Sequence, residues 1–152
     1  MPENLSSGYT KLIYSATTFN ATANTPTFTL PVGESYSFIL DVGTPSGTSE
    51  TMDAALQISP DGGTTWYDWA RFAQVTTSVV SRRLNLQPLQ GRGEAGSEAV
   101  ITAAATGAIN TNVPMPIGVT NACRFALTLG GTTPSYATVK IWMVVSARAA
   151  AV

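Results

Sequence analysis

Histidine is absent from this chain, and cysteine occurs only once, as Cys123. Without histidine, a nucleophilic hydroxyl or thiol has no imidazole to act as its general base. Zinc has no suitable ligand set for the same reason, and one cysteine excludes an internal disulfide. Cys123 lies in an apolar alternating pattern, where a free thiol is typical of a hydrophobic core. The sequence therefore predicts a non-enzymatic protein with no metal and no cofactor.

Charge is also scarce, since charged residues make up 11% of the chain against about 25% in a typical globular domain. The formal net charge is −1 and no basic stripe is present, which argues against a nucleic-acid partner. Two explanations of the low charge stay open. Threonine and serine can cover the exposed strand faces, or much of the surface can be buried against other subunits, because interface cores are depleted in charge.

Long apolar runs are missing as well. No stretch approaches the ~18 uninterrupted apolar residues of a membrane span. The N-terminus has no basic region followed by an apolar run, so no signal peptide is expected. No glycine-rich phosphate-binding motif lies in the strand-to-helix context that it requires. We expect a protein without a membrane partner, made in the cytoplasm and used or assembled there.

Period-two alternation of apolar and polar residues dominates what is present, as in segments 35–42, 52–58, 124–129 and 137–145. Such alternation is typical of half-buried strands. Turn signals at 60–63 and 130–134 predict two hairpins, one joining 56–59 to 66–72 and the other joining 125–129 to 136–145. A further turn is predicted at 43–47, and the alanine-rich segment 99–105 is interpreted as a strand. The predicted fold is all-β, a single-domain antiparallel β-sandwich or jelly-roll-like fold.

Two segments are predicted to lie outside the packed sheets. Residues 1–10 are polar and predict a flexible N-terminal arm, which leaves 11–152 as the sandwich domain. Residues 88–98 hold three glycines and predict a long exposed loop. Arms and loops of this kind often order against a neighbouring subunit. The residues predicted to contact partners are Leu5 and Tyr9 in the arm, and Arg92 and Glu94 in the loop.

The most specific local motif runs from Ser59 to Trp66 and reads Ser-Pro-Asp-Gly-Gly-Thr-Thr-Trp. It resembles the Asp-box turn, S-x-D-x-G-x-T-W, of sialidases and related β-propellers, where the box is structural and repeated. Here it occurs once, so sialidase activity is not implied. The Asp61 carboxylate is expected to accept backbone N–H bonds, Gly63 to take a positive φ, and Trp66 to close the turn. The predicted turn residues are Ser59, Asp61, Gly63, Thr65 and Trp66.

The same hairpin carries an aromatic and acidic group, with Trp66, Tyr67 and Trp69 beside Asp61 and Asp68. Flat aromatic faces stack on pyranose rings, so this group is a candidate carbohydrate site. In the alternative interpretation, Trp66 and Trp69 cover the turn and the core.

The phrase at 55–68, Ala-Leu-Gln-Ile-Ser-Pro-Asp-Gly-Gly-Thr-Thr-Trp-Tyr-Asp, is similar to phrases in phage structural proteins. With the Thr/Ala/Gly-rich strands and the low charge, the chain resembles the small β-rich capsid decoration (cement) proteins of tailed bacteriophages. The resemblance implies a jelly-roll or Ig-like fold and a homo-oligomer, with a trimer favoured. It also implies a virion location after assembly in the host cytoplasm, with the major capsid protein or other virion subunits as partners.

The predicted function is therefore a non-enzymatic virion structural protein that stabilises a capsid shell through multivalent surface contacts. Two alternatives stay open. One is a carbohydrate-binding module of a fibre or an enzyme, and the other is a phage tail or head–tail component.

Overall fold

The computed structural model describes residues 9–30, 35–88, 113–115 and 122–146. This part of the chain contains strands and no helix, so the all-β prediction is confirmed. The strands are β1 (Tyr9–Ala16), β2 (Ala23–Asn24), β3 (Ser35–Val42), β4 (Pro45–Ile58), β5 (Tyr67–Arg71), β6 (Val80–Pro88), β7 (Val113–Met115), β8 (Cys123–Tyr136) and β9 (Val139–Ser146).

The strands form two sheets. The first sheet has the order β1-β9-β3-β6-β7 and the second has the order β2-β8-β4-β5. All pairs are antiparallel except the short β6–β7 pair, which is parallel. The pairs β4–β5, β3–β6, β2–β8 and β1–β9 are nested in sequence and alternate between the sheets, which is the winding of a jelly roll. The predicted sandwich is thus confirmed.

The core lies between the sheets and follows the predicted alternation. On β3, the side chains of Tyr36, Phe38, Leu40 and Val42 are buried, and Met52 and its alternate neighbours on β4 are buried opposite them. Phe125 of β8 lies at the centre of an aromatic cluster. Its ring centroid is 5.2 Å, 5.7 Å and 6.0 Å from those of Phe38, Phe72 and Phe28. These contacts join the two sheets.

Cys123 begins β8 and is fully buried, so the predicted core thiol is confirmed. Its amide and carbonyl exchange hydrogen bonds of 2.8 Å with the backbone of Phe28. Burial disfavours the thiolate and raises the pKa of the Cys123 thiol to about 11. The thiol is held in the neutral form and serves as a small apolar side chain.

The second predicted hairpin is wrong, because β8 continues through 130–134 instead of turning there. β8 pairs with β4 in the second sheet, whereas β9 lies in the first sheet between β1 and β3. Gly131 sits at an irregularity in the β4–β8 pairing and has a φ of 104°. A Cβ atom there would lie 2.7 Å from the carbonyl oxygen of Ser49. The glycine therefore permits a close backbone approach within the sheet.

The predicted turn at 43–47 is shorter than expected, since β4 already begins at Pro45. The chain changes sheet at Gly43–Thr44, and again at Ala137–Thr138 between β8 and β9. The Gly43 N–H donates to the Thr138 carbonyl at 2.7 Å, and the Ala137 N–H donates to the Thr44 carbonyl at 2.9 Å. The two crossings therefore hydrogen-bond to each other.

Several predicted segments lie outside the described residues: positions 1–8 of the arm, 89–98 of the loop and the alanine-rich 99–105. Tyr9 and Thr10, assigned to the arm, belong to β1. Pro88, assigned to the loop, is the last residue of β6.

Candidate functional site

The Asp-box turn connects β4 to β5, and the Asp61 carboxylate lies at its centre. Asp61 Oδ1 accepts hydrogen bonds from the Ser59 hydroxyl at 2.7 Å, the Thr65 N–H at 2.8 Å and the Thr64 N–H at 3.1 Å. These bonds, with the Thr65 N–H first among them, hold the pKa of Asp61 far below its ordinary value. The carboxylate is ionised at neutral pH and organises the turn.

Gly63 and Trp66 complete the turn. Gly63 has a φ of 110°, which favours glycine, and its N–H donates to the Ser59 hydroxyl at 2.7 Å. The Trp66 indole N–H donates to the Gly63 carbonyl at 3.0 Å, so the half-buried ring folds back over the turn. The hairpin prediction is confirmed, since Gln57 pairs with Asp68 across β4 and β5.

A row of polar contacts extends from this turn across the outer face of the second sheet. The Arg124 guanidinium carbon lies 4.1 Å from the centroid of the Trp66 ring. Arg124 Nε donates to Gln57 Oε1 at 2.8 Å, and Gln57 Nε2 donates to Asp68 Oδ1 at 2.7 Å. Asp68 also forms an ion pair with Arg71. We call these five residues, Trp66, Arg124, Gln57, Asp68 and Arg71, the polar ladder.

The polar ladder was not predicted from the sequence. Alternation in 52–58 and 124–129 separates Gln57 and Arg124 from their apolar strand neighbours but does not pair them, because they are 67 residues apart in the chain. Their contact depends on the β4–β8 register, which places Gln57 directly opposite Arg124. The ladder joins β8, β4 and β5 and holds the hairpin rigidly against the sandwich.

The aromatic residues of the hairpin do not form one continuous platform. Trp69 is 6% exposed and belongs to the core, and one face of the Trp66 ring lies against Arg124. These positions favour the interpretation in which Trp66 and Trp69 cover the turn and the core. Tyr67, by contrast, is 48% exposed and lies at the base of the hairpin. It is the aromatic side chain of this group that is free to contact a partner.

Two buried polar side chains of the second sheet and its flanking segment are Thr25 and Tyr136. The Thr25 hydroxyl accepts the Phe125 N–H at 2.9 Å and donates to the Pro26 carbonyl. Burial, with the nearby charges of Glu50 and Asp53, raises the pKa of Tyr136 to about 12, so this phenol keeps its proton at neutral pH. Within 9–30, 35–88, 113–115 and 122–146, no three His, Cys, Asp or Glu residues cluster as a metal site would require.

Of the four residues predicted to contact partners, Tyr9 is the one that the structure describes. Tyr9 pairs with Val145 at the start of β1. Leu5, Arg92 and Glu94 lie outside the described residues. None of the described part forms a helix long and apolar enough to cross a membrane.

Comparison of the chain with protein-family models, with curated proteins and with solved structures gives no significant match. The fold presents three surfaces that could contact a partner. They are the Asp-box hairpin with the exposed Tyr67, the outer face of the second sheet with its polar ladder, and the outer face of the first sheet.

Proposed function

We propose that this chain is a non-enzymatic virion structural protein that decorates a capsid shell and stabilises it through repeated surface contacts. The observation that carries the proposal is the jelly-roll winding of the two sheets, an architecture that recurs in viral capsid domains. The same architecture occurs in lectin domains, so the winding alone does not decide between an assembly role and a sugar-binding role. The surface chemistry is the further support.

The charged groups of the hairpin are occupied by structural contacts. Asp61 is held by the turn, while Asp68, Arg71 and Arg124 are held in the polar ladder. Groups in such closed networks are poor candidates for proton transfer, because transfer would break the contacts that hold the hairpin. They are well suited to presenting a rigid surface, which lowers the entropic cost of binding.

Tyr67 is our candidate anchor for the shell. Tyr67 is 48% exposed, and it follows a turn that is closed by hydrogen bonds to Asp61 and from Trp66. Tyrosine is enriched at protein interfaces and charged residues are depleted at their cores, which agrees with the low charge of this chain. A copy that contacts two shell subunits at once is retained more strongly than one contact allows, because the second contact is intramolecular.

Co-sedimentation of the purified protein with shells that lack it tests the proposal. We expect saturable binding, weakened at least about tenfold by Tyr67→Ser. Val79→Ser is the matched control, since Val79 is also an exposed apolar residue, at 63%, and lies away from the hairpin. A protein that stays in the supernatant at every concentration contradicts the proposal.

A second variant tests the predicted arm. Removing residues 1–8 leaves β1 intact, because the strand begins at Tyr9. We expect lower occupancy on shells with unchanged thermal stability of the free protein. Unchanged occupancy would show that the arm has no part in binding.

The exposure of Tyr67 also favours a second candidate, a carbohydrate-binding module, because an exposed ring beside hydrogen-bonding groups suits stacking on a sugar. Calorimetric titration with oligosaccharides separates the two functions. Saturable glycan binding that Tyr67→Ser abolishes, with no binding to shells, favours the module.

A further inference from the structure

The outer face of the first sheet carries an apolar patch where water-facing residues are usually polar. Leu12 of β1 pairs with Trp142 of β9, and Trp142 pairs with Ile39 of β3. Val144 lies two positions along β9 from Trp142. Leu12 is 42% exposed and the other three are partly exposed. We call these four residues, Leu12, Ile39, Trp142 and Val144, the first-sheet patch.

Trp142, Ile39 and Val144 point away from the core, because their strand neighbours point into it. Leu12 shares this face because it pairs with Trp142. Ile141 and Met143 on either side of Trp142 are buried, as are Phe38 and Leu40 on either side of Ile39. The outer face of the second sheet, in contrast, carries the polar ladder. Contiguous exposed apolar groups around a central tryptophan are typical of a protein interface.

The row of residues beside the patch carries one charge of each sign. Lys140 of β9 pairs with Asp41 of β3, and Asp41 accepts a hydrogen bond from the Ser81 hydroxyl at 3.0 Å. Among the described residues, Lys140 forms no ion pair. The face therefore presents an apolar row next to a row with a positive charge on one strand and a negative charge on the adjacent strand.

We propose that the first-sheet patch is covered by the same face of a second copy of this chain, related by a two-fold axis that runs between β9 and β3 along the strands. This operation places β9 of one copy over β3 of the other. Lys140 then faces Asp41 of the second copy, and Trp142 faces Ile39 of the second copy. Each contact occurs twice, as an isologous interface requires.

Charge complementarity selects this occupant. A second copy matches the charges of both Lys140 and Asp41, whereas a partner of uniform charge matches only one of these two groups. Two sheets with nearly aligned strands pack face to face about 10 Å apart with their side chains interdigitated. Arg83, at the end of the Leu12–Trp142–Ile39 row, faces Leu12 of the second copy and covers it with the aliphatic part of its side chain. The inference is independent of the proposed shell binding.

Light scattering coupled to size exclusion measures the predicted state. We expect a species of twice the 15.9 kDa chain mass that dissociates on dilution. Trp142→Lys is expected to weaken the dimer at least about thirtyfold. Thr128→Lys is the matched control, because it adds the same charge to an exposed position on the second sheet and is expected to leave the dimer intact.

A charge exchange tests the geometry without touching the tryptophan. Lys140→Asp puts two acidic groups opposite each other at both symmetry-related positions and is expected to give monomers. Combining it with Asp41→Lys restores opposite charges and is expected to restore the dimer. Circular dichroism of each variant confirms that the monomers are folded.

Four results overturn the proposal: a wild-type monomer at all concentrations, a trimer, a dimer that survives Trp142→Lys or Lys140→Asp, and a double exchange that does not restore association. If Trp142→Lys abolishes shell binding but leaves the dimer intact, the patch contacts the shell instead. Shell binding by a wild-type monomer would overturn the dimer while leaving the proposed function standing.

Discussion

Arg124 lies over the ring of Trp66, with 4.1 Å between its guanidinium carbon and the ring centroid. Trp66 ends the Asp-box turn, and Arg124 belongs to β8, a strand far away in the sequence. The same arginine donates to Gln57 of β4. The contact therefore attaches a local turn to β8, an inner strand of the second sheet.

A double-mutant cycle on this pair is expected to give a coupling free energy of about 0.5–1 kcal/mol, the range of a partly exposed cation–π contact. The variants are Trp66→Leu, Arg124→Gln and their combination, and the free energy of unfolding is measured in urea. Arg83→Gln in place of Arg124→Gln is the control cycle, because Arg83 belongs to the first sheet and lies outside the polar ladder. If the changes in unfolding free energy of the two single variants sum to that of the double variant, there is no coupling, and a direct contact is contradicted.

Asp61 is expected to stabilise the folded state only while it is ionised. Its folded pKa is depressed by the Thr65 N–H and the other donors of the turn. The stabilisation is fully present above the ordinary pKa of 3.8 and declines as the pH falls below it. Asp61→Ala should therefore unfold at lower urea than the wild type at pH 7, and the difference should shrink in strong acid.

Thr64→Ala is the control for the Asp61 experiment. Thr64 contributes its backbone N–H to the carboxylate, and the substitution keeps that group. Its urea midpoint is expected to follow the wild type at every pH. If the Asp61→Ala difference were constant from pH 7 into strong acid, the charge of the carboxylate would not be the cause.

Phe125 is expected to be the most sensitive aromatic position of the core. Its ring contacts rings from both sides of the sandwich, so truncation leaves a large cavity. Phe125→Ala should cost about 3–5 kcal/mol of unfolding free energy. Tyr67→Ala removes an exposed ring and should cost less than about 1 kcal/mol. Similar costs at the two positions would contradict the packing of the core around Phe125.

Cys123 is a direct reporter of opening, because it is the chain's single cysteine. At neutral pH, labelling with an aromatic disulfide is expected to be at least about a thousandfold slower in the native protein than in urea, since only rare unfolding exposes the thiol. Burial raises the pKa of this thiol from its ordinary value of 9.0 to about 11 in the folded protein. The contribution of this group to stability is therefore present below pH 9 and declines as the pH rises through this range. Rapid native labelling would contradict its burial.

The sequence predicted those parts of the fold in which local pattern and packing agree. Alternation placed Phe38 and Leu40 in the core, and turn chemistry placed the hairpin at Asp61. It failed at 130–134, where two glycines and a proline have strong turn character. Pairing with the long strand β4 outweighs that local preference, and such non-local pairing cannot be read from a single segment.

The surfaces were less predictable than the core. Alternation in 137–145 puts Trp142 on the opposite strand face from Ile141 and Met143, but it does not show that Leu12 and Ile39 lie on either side of it. That arrangement follows from the β1–β9–β3 order. In the same way, the polar ladder needs the registers of three strands, and Gln57 and Arg124 have no distinguishing feature in their own segments.

Heat-induced release of packaged nucleic acid from shells is the sharpest test of the proposed decoration role. A decoration protein must stabilise the particle and not merely bind to it. Shells are heated with and without the protein, and dye fluorescence reports the temperature at which they open. We expect saturating protein to raise this temperature, and we expect Tyr67→Ser to reduce the shift while Val79→Ser does not. An unchanged release temperature at saturating protein would contradict it.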